Sequence, residues 1–289
     1  MAALLFAVLD LMQSEFAKPA PVWRNIYTLP RAQQQFLERE CKKPSAFDPT
    51  QRRQSLFRSY QQGKTPFEAR ECEWGRVIVL YENDHQAVPW ELWGRILRCY
   101  AAKPNHRPAC IYLVASTALR EFPRRGPITP QHINGGYTYH GNNQTIMLFR
   151  AEDATRVLIH ELQHASNLDD LRQDVDLIEA ETEAWAELLY VGFLSRGDPS
   201  LFRALIEVQG LWMQEQNARV QRHLMGPRGF PWRYTIGKED VWRRWGILST
   251  PPRLSPPHSP RGRYSLRLGA PPQAAIKALH GVAIDSTFL

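Results

Sequence analysis

Apolar positions along the chain change period several times, and each change marks an element. The run RVIVLY (76–81), β-branched and bounded by Gly75 and the polar ENDH, predicts a buried strand. VPWELWGRILRCYAAK (88–103) places Trp90, Trp93, Ile96, Leu97 and Tyr100 at helical spacing behind Pro89, which suits a helix start. ACIYLVAS (109–116) is a second strand. GYTYHGNNQTIMLF (136–149) has two strand-like runs around Gly141-Asn142-Asn143, residues that tolerate positive φ, and so reads as a hairpin. Helical patterns follow in RVLIHELQHA and over 174–195. Asp198-Pro199, a cap and first-position pair, then opens a helix to about residue 224 through Leu201, Leu205, Val208, Trp212 and Leu224. The order is β-α-β-β-β-α-α-α, without an internal repeat.

At its N-terminus, MAALLFAVLDLMQSEFAKPA gathers Leu5, Val8, Leu9, Met12 and Phe16 on one helical face. It lacks a basic n-region and Asp10 interrupts it, so an amphipathic helix is expected ahead of a signal peptide, and the compartment stays open. No run of about 18 apolar residues exists, which argues against a membrane span.

Length and charge refine this. With 289 residues the chain can bury a sizeable core. Lys and Arg total 36 against 29 acids, and residues 225–289 carry the whole excess, with 10 basic and 3 acidic side chains. That tail also holds nine of the 22 prolines, densest in STPPRLSPPHSPRGR (249–263), and reads as an extended segment. Three regions are therefore expected: a mostly helical extension (1–70), a core (71–225) and a basic Pro-rich segment (226–289). The four cysteines, Cys41, Cys72, Cys99 and Cys110, form no C-x-x-C pair, which disfavours a ribbon-type zinc site and suits buried thiols.

The chemistry concentrates in RVLIHELQHASNLDD (156–170). Helical positions four apart differ by about 40° in azimuth and roughly 6 Å in height, so His160 and His164 can share one ion. Glu161, about 100° further round, can reach a water on that ion without being a ligand. Catalytic zinc wants a third protein ligand. Asp170 would serve if the chain turns at once, with Asn167 supplying a left-handed residue; Glu183, in TEAWAELL on the next helix, is the preferred alternative.

HELQH, followed after 18 residues by Glu183 in TEAWAELL, resembles the gluzincin metallopeptidases, and the hairpin just before the active-site helix extends the likeness over about residues 76–196. The resemblance implies an α+β fold with a zincin-like core, in which a small mixed sheet with an edge-strand hairpin packs on the HExxH helix and a mostly helical subdomain follows. It implies Zn²⁺ on His160, His164 and Glu183, with Glu161 as general base and acid and Glu187 orienting a ligand imidazole. It also implies that the strand of Gly136, Tyr137, Thr138, Tyr139 and His140 receives a peptide substrate, and that Tyr234 or His223 serves as transition-state donor. The expected function is zinc-dependent peptide hydrolysis. The competing expectation is an inactive zincin scaffold whose basic tail binds an acidic partner or nucleic acid; the presence of Glu161 argues against it, since a purely structural metal needs no base.

Overall fold

The computed structural model describes residues 2–83, 87–101, 108–139, 145–226 and 228–248. Its six strands are β1 (Arg24–Asn25), β2 (Phe67–Cys72), β3 (Gly75–Tyr81), β4 (Ala109–Ala115), β5 (Gly136–Thr138) and β6 (Thr145–Leu148). They form one sheet in the order β1-β2-β3-β4-β6-β5. β3, β4 and β6 run parallel and the other pairings are antiparallel, so the sheet is mixed and the fold is α+β.

Parallel central strands are buried on both faces, which is why VIVLY (77–81) and ACIYLVA (109–115) are unbroken apolar runs. Val77, Val79, Ile111, Leu113, Ile146 and Leu148 point to one core cluster, while Ile78, Leu80, Tyr112, Val114 and Met147 point to another. Helices α2 (Arg31–Lys42) and α3 (Arg52–Gln61) cover the second face with Leu37, Cys41, Leu56 and Phe57. Helices α4 (Trp90–Tyr100) and α6 (Ala154–Ala165) cover the first. Trp93 Nε1 donates to Thr155 Oγ1 at 2.8 Å, and Tyr100 Oη to the Ile159 carbonyl at 3.3 Å, so α4 holds α6 against the sheet.

The remaining helices build a second layer: α1 (Ala2–Phe16), α7 (Val175–Ser195), α8 (Pro199–Val220), α9 (Phe230–Arg233) and α10 (Ile236–Arg244), with the short α5 (Pro130–Ile133) leading into β5. Asp198 caps α8 by accepting from Leu201 N at 2.7 Å, as its sequence suggests. Val8 and Leu9 of α1 join Ala184, Leu188, Leu205 and Trp242 in one cluster, and Trp242 Nε1 donates to the Ala184 carbonyl at 3.0 Å.

Two expected boundaries move. Residue 70 falls inside β2, which pairs with β3 over its whole length, and Met12 is part of the sheet-face core; the first 70 residues are built into the same core as the rest. Residues 230–244 supply α9 and α10, burying Trp232, Val241 and Trp242 rather than running extended. The Pro-rich stretch 249–263 lies outside the described residues, as do His140 and the Gly141-Asn142-Asn143 turn. All four cysteines are free thiols; Cys41 is buried, and burial pushes its pKa up to about 12. Among the described residues no helix is long and apolar enough to cross a membrane.

β5 sits at the sheet edge, against α6. A Cβ at Gly136 would lie 2.9 Å from both the Met147 carbonyl and Val157 Cγ1, so only glycine lets the strand approach the helix this closely. Val157 precedes His160 by three positions, so the same contact brings the edge strand alongside the motif.

Candidate metal centre

Nearly every residue of α6 from Ala154 to His164 is buried, because the helix is enclosed by the sheet, α4 and α7. Its polar side chains must therefore find partners inside the protein. The helix stops at Asn167, which takes φ 51°, and Asp174 restarts the chain as the α7 cap by accepting from Asp176 N and Leu177 N at 2.9 and 3.1 Å. The return is tight, and α7 lies along α6.

His160 Nε2 and His164 Nε2 face one another at 3.0 Å. The third group there is Glu179: its Oε2 lies 3.4 Å from His160 Nε2 and 3.7 Å from His164 Nε2. That oxygen is buried and has no aligned hydrogen-bond donor among the described residues. One ligand atom from each of the three residues fits within a span of 4.8 Å. Ligands about 2.0–2.1 Å from a tetrahedral zinc stand about 3.4 Å apart, close to the three separations found here. Two nitrogen ligands and a carboxylate with an otherwise unpartnered oxygen are a donor set that zinc fits.

Glu183, the preferred third ligand on sequence grounds, sits elsewhere. Its Oε1 lies 3.2 Å from His160 Nδ1, on the far side of the imidazole from the cluster, and its Oε2 pairs with Arg156 Nη1. Asp170 is not at the site either: it points outward and binds Arg172. Its neighbour Asp169 takes the inward place, with Oδ2 2.8 Å from His164 Nδ1 and Oδ1 accepting from Thr182 Oγ1 at 3.1 Å. Each imidazole thus turns Nε2 to the cluster and Nδ1 to a carboxylate, the arrangement that fixes a ligand histidine's orientation.

Glu187 does not contact an imidazole. It is fully buried, and its Oε2 accepts from Lys238 Nζ of α10 at 2.7 Å. Burial pushes its carboxyl upward, against the opposing charges of Lys238 and Arg156. Lys238→Met is expected to cost about 3–5 kcal/mol in a denaturation experiment, because it leaves a carboxylate buried without its partner; adding Glu187→Leu should recover most of that loss.

Buried charge governs the rest of the site. Burial disfavours a charged His160, yet Glu183 and Glu179 more than offset it and hold its pKa well above the usual imidazole range. Burial likewise opposes charge on His164, while Asp169 and Glu179 bring it up to about 9. Burial raises Glu179, but the two imidazoles outweigh this and leave its pKa well below the usual carboxylate range. Glu161 is buried beside the cluster, and burial raises its carboxyl against the pull of the two histidines.

His160, Glu161, His164 and Glu179 open on a cavity of about 220 Å³ that Gly136, Tyr137 and Thr138 of β5 also line. Thr138 Oγ1 donates to the Glu161 carbonyl at 3.3 Å, tying the edge strand to the motif helix. Behind the strand, Tyr137 and Tyr139 both donate to Glu40 Oε2, at 2.9 and 2.7 Å. Tyr234 lines the same cavity, its ring centred 6.4 Å from that of His160. His223 is placed apart, with its Nδ1 3.1 Å from the Gly126 carbonyl and its ring against Phe122.

Glu179, Asp169 and Arg156 are the participants that sequence reasoning missed. Arg156 is one helical turn before His160 and Glu179 one turn before Glu183, so a four-residue ladder between two antiparallel helices was present in the spacing. No known protein family, curated protein or solved structure significantly matches this chain.

Proposed function

We propose that this chain is a zinc-dependent metallopeptidase with a zincin-like core, in which His160, His164 and Glu179 hold the metal. The observation that carries the reading is the meeting of two Nε2 atoms with a buried carboxylate oxygen that no Lys or Arg of the described residues pairs with, in a cavity bordered by Glu161 and a sheet edge. A glutamate on the helix after HExxH keeps the arrangement gluzincin-like, one helical turn earlier than the 18-residue spacing implies. Glu183 then takes the orienting role first given to Glu187.

Zinc bound there would polarise a carbonyl and acidify water. The chain's own groups do the rest. β5 is the edge strand of the sheet among the described residues, so an extended peptide can add as a further strand and place its scissile bond over the cavity. The Glu161 carboxylate takes the proton from the attacking water and returns it to the leaving amine. Tyr234, which lines the same cavity, is the proposed donor to the developing oxyanion.

The test is metal analysis of the purified full chain together with digestion of a broad peptide library. About one zinc per chain and chelator-sensitive cleavage are expected. Bound zinc with no cleavage of any peptide would leave the binding-scaffold reading in its place.

A further inference from the structure

Glu179, Glu183 and Glu187 repeat every four residues along α7 and share one face of that helix. Any of the three could reach a metal held by α6 if the helices slid by a turn. What distinguishes them is the company each keeps. Glu187 is matched by Lys238, with both side chains fully buried, and Glu183 by Arg156, whose side chain is 1% exposed. Glu179 meets no Lys or Arg among the described residues, and its partners are the two imidazoles.

We infer that Arg156 is a positioning residue that reserves Glu179 for the metal. By occupying Glu183 Oε2, its guanidinium keeps that carboxylate behind His160, where Oε1 meets Nδ1 and not the metal face. Arg156 is on α6 itself, one turn from His160, so the same helix supplies two ligands and the cation that removes the competing carboxylate. Stepping back four residues along α6, from His164 to His160 to Arg156, steps forward along α7 from Glu179 to Glu183 and towards Glu187, whose charge also acts on Arg156. Buried charges paired this way define register, since a slip by one turn would strand each of them. The inference rests on the reading of the cluster as a zinc centre.

The experiment measures the zinc dissociation constant of the folded full chain by competition with a chelator, for the parent, R156M, R156K, E183Q and R156M/E183Q. R156M and E183Q should each weaken zinc by about 10- to 100-fold, the usual effect of losing a group that orients a ligand. The double variant should be no weaker than the weaker single one, because Arg156 acts only through Glu183, and R156K should keep most of the affinity. Cobalt-substituted R156M should show an altered visible spectrum, which a purely structural role would not produce. The double variant removes both buried charges and so keeps the test open if R156M does not purify; parent-like affinity there overturns the inference. So does a folded R156M within twofold of the parent, or a double variant whose loss is the product of the two single losses. A parent chain that takes up no zinc would instead overturn the metal-centre reading itself.

Discussion

Glu161→Gln is expected to keep the fold and the zinc while lowering peptide hydrolysis by at least about 10² to 10⁴, the usual contribution of a general acid–base group. Glu161 lies next to His160 in sequence but about 100° round the helix, and it is not among the three groups whose donor atoms converge. A carboxamide has the same shape as the carboxylate, so packing in this buried position is kept, as is the Thr138 bond to the main-chain carbonyl. Only the proton acceptor is lost. Zinc content and turnover measured on the same preparation separate the two effects. A Gln variant as fast as the parent would remove Glu161 as the base, and with it the peptidase reading.

How much of this was legible in the sequence follows from where the information lies. β3 and β4 were readable because strands buried on both faces carry unbroken apolar runs, and α4 and α8 because their buried stripes recur at helical spacing between recognisable caps. β2 was not, since FEAREC buries only Ala69 and half of it is charged, with Arg70 paired to Glu68 and Glu71 to Arg76. The short α9 and α10 were hidden by a basic, Pro-containing composition, although Trp232 and Trp242 are core residues.

The metal site divides in the same way. His160 and His164 are fixed by a local repeat within one helix, which sequence displays directly. The third group of the proposed site depends on how two helices are set against each other. α7 offers three carboxylates at nearly the same azimuth, of which Glu183 pairs with Arg156 from α6 and Glu187 with Lys238 from α10. The second of those cations is 51 residues away from its partner, beyond the reach of any spacing rule.

Glu179→Ala is therefore expected to strip zinc where Asp170→Ala leaves it in place. A protein zinc site is worth about 10–16 kcal/mol, and losing one of three ligands should cost on the order of 10³ in affinity. Asp170 is exposed and engaged with Arg172, so its removal changes nothing within reach of the imidazoles. Glu183→Gln should fall between the two, since the amide keeps the side chain's shape but no longer offers His160 Nδ1 a charged acceptor. His160→Ala and His164→Ala should match Glu179→Ala, because each removes one of the converging atoms. Zinc retained in Glu179→Ala but lost in Glu183→Ala would return the third ligand to Glu183 and require α7 to shift by a full turn against α6 when the metal binds. That shift would break the Lys238–Glu187 and Arg156–Glu183 pairs, each fully or almost fully buried. Breaking a buried pair costs about 3–5 kcal/mol, so two of them weigh heavily against the slide and for Glu179 as the third group of the proposed site.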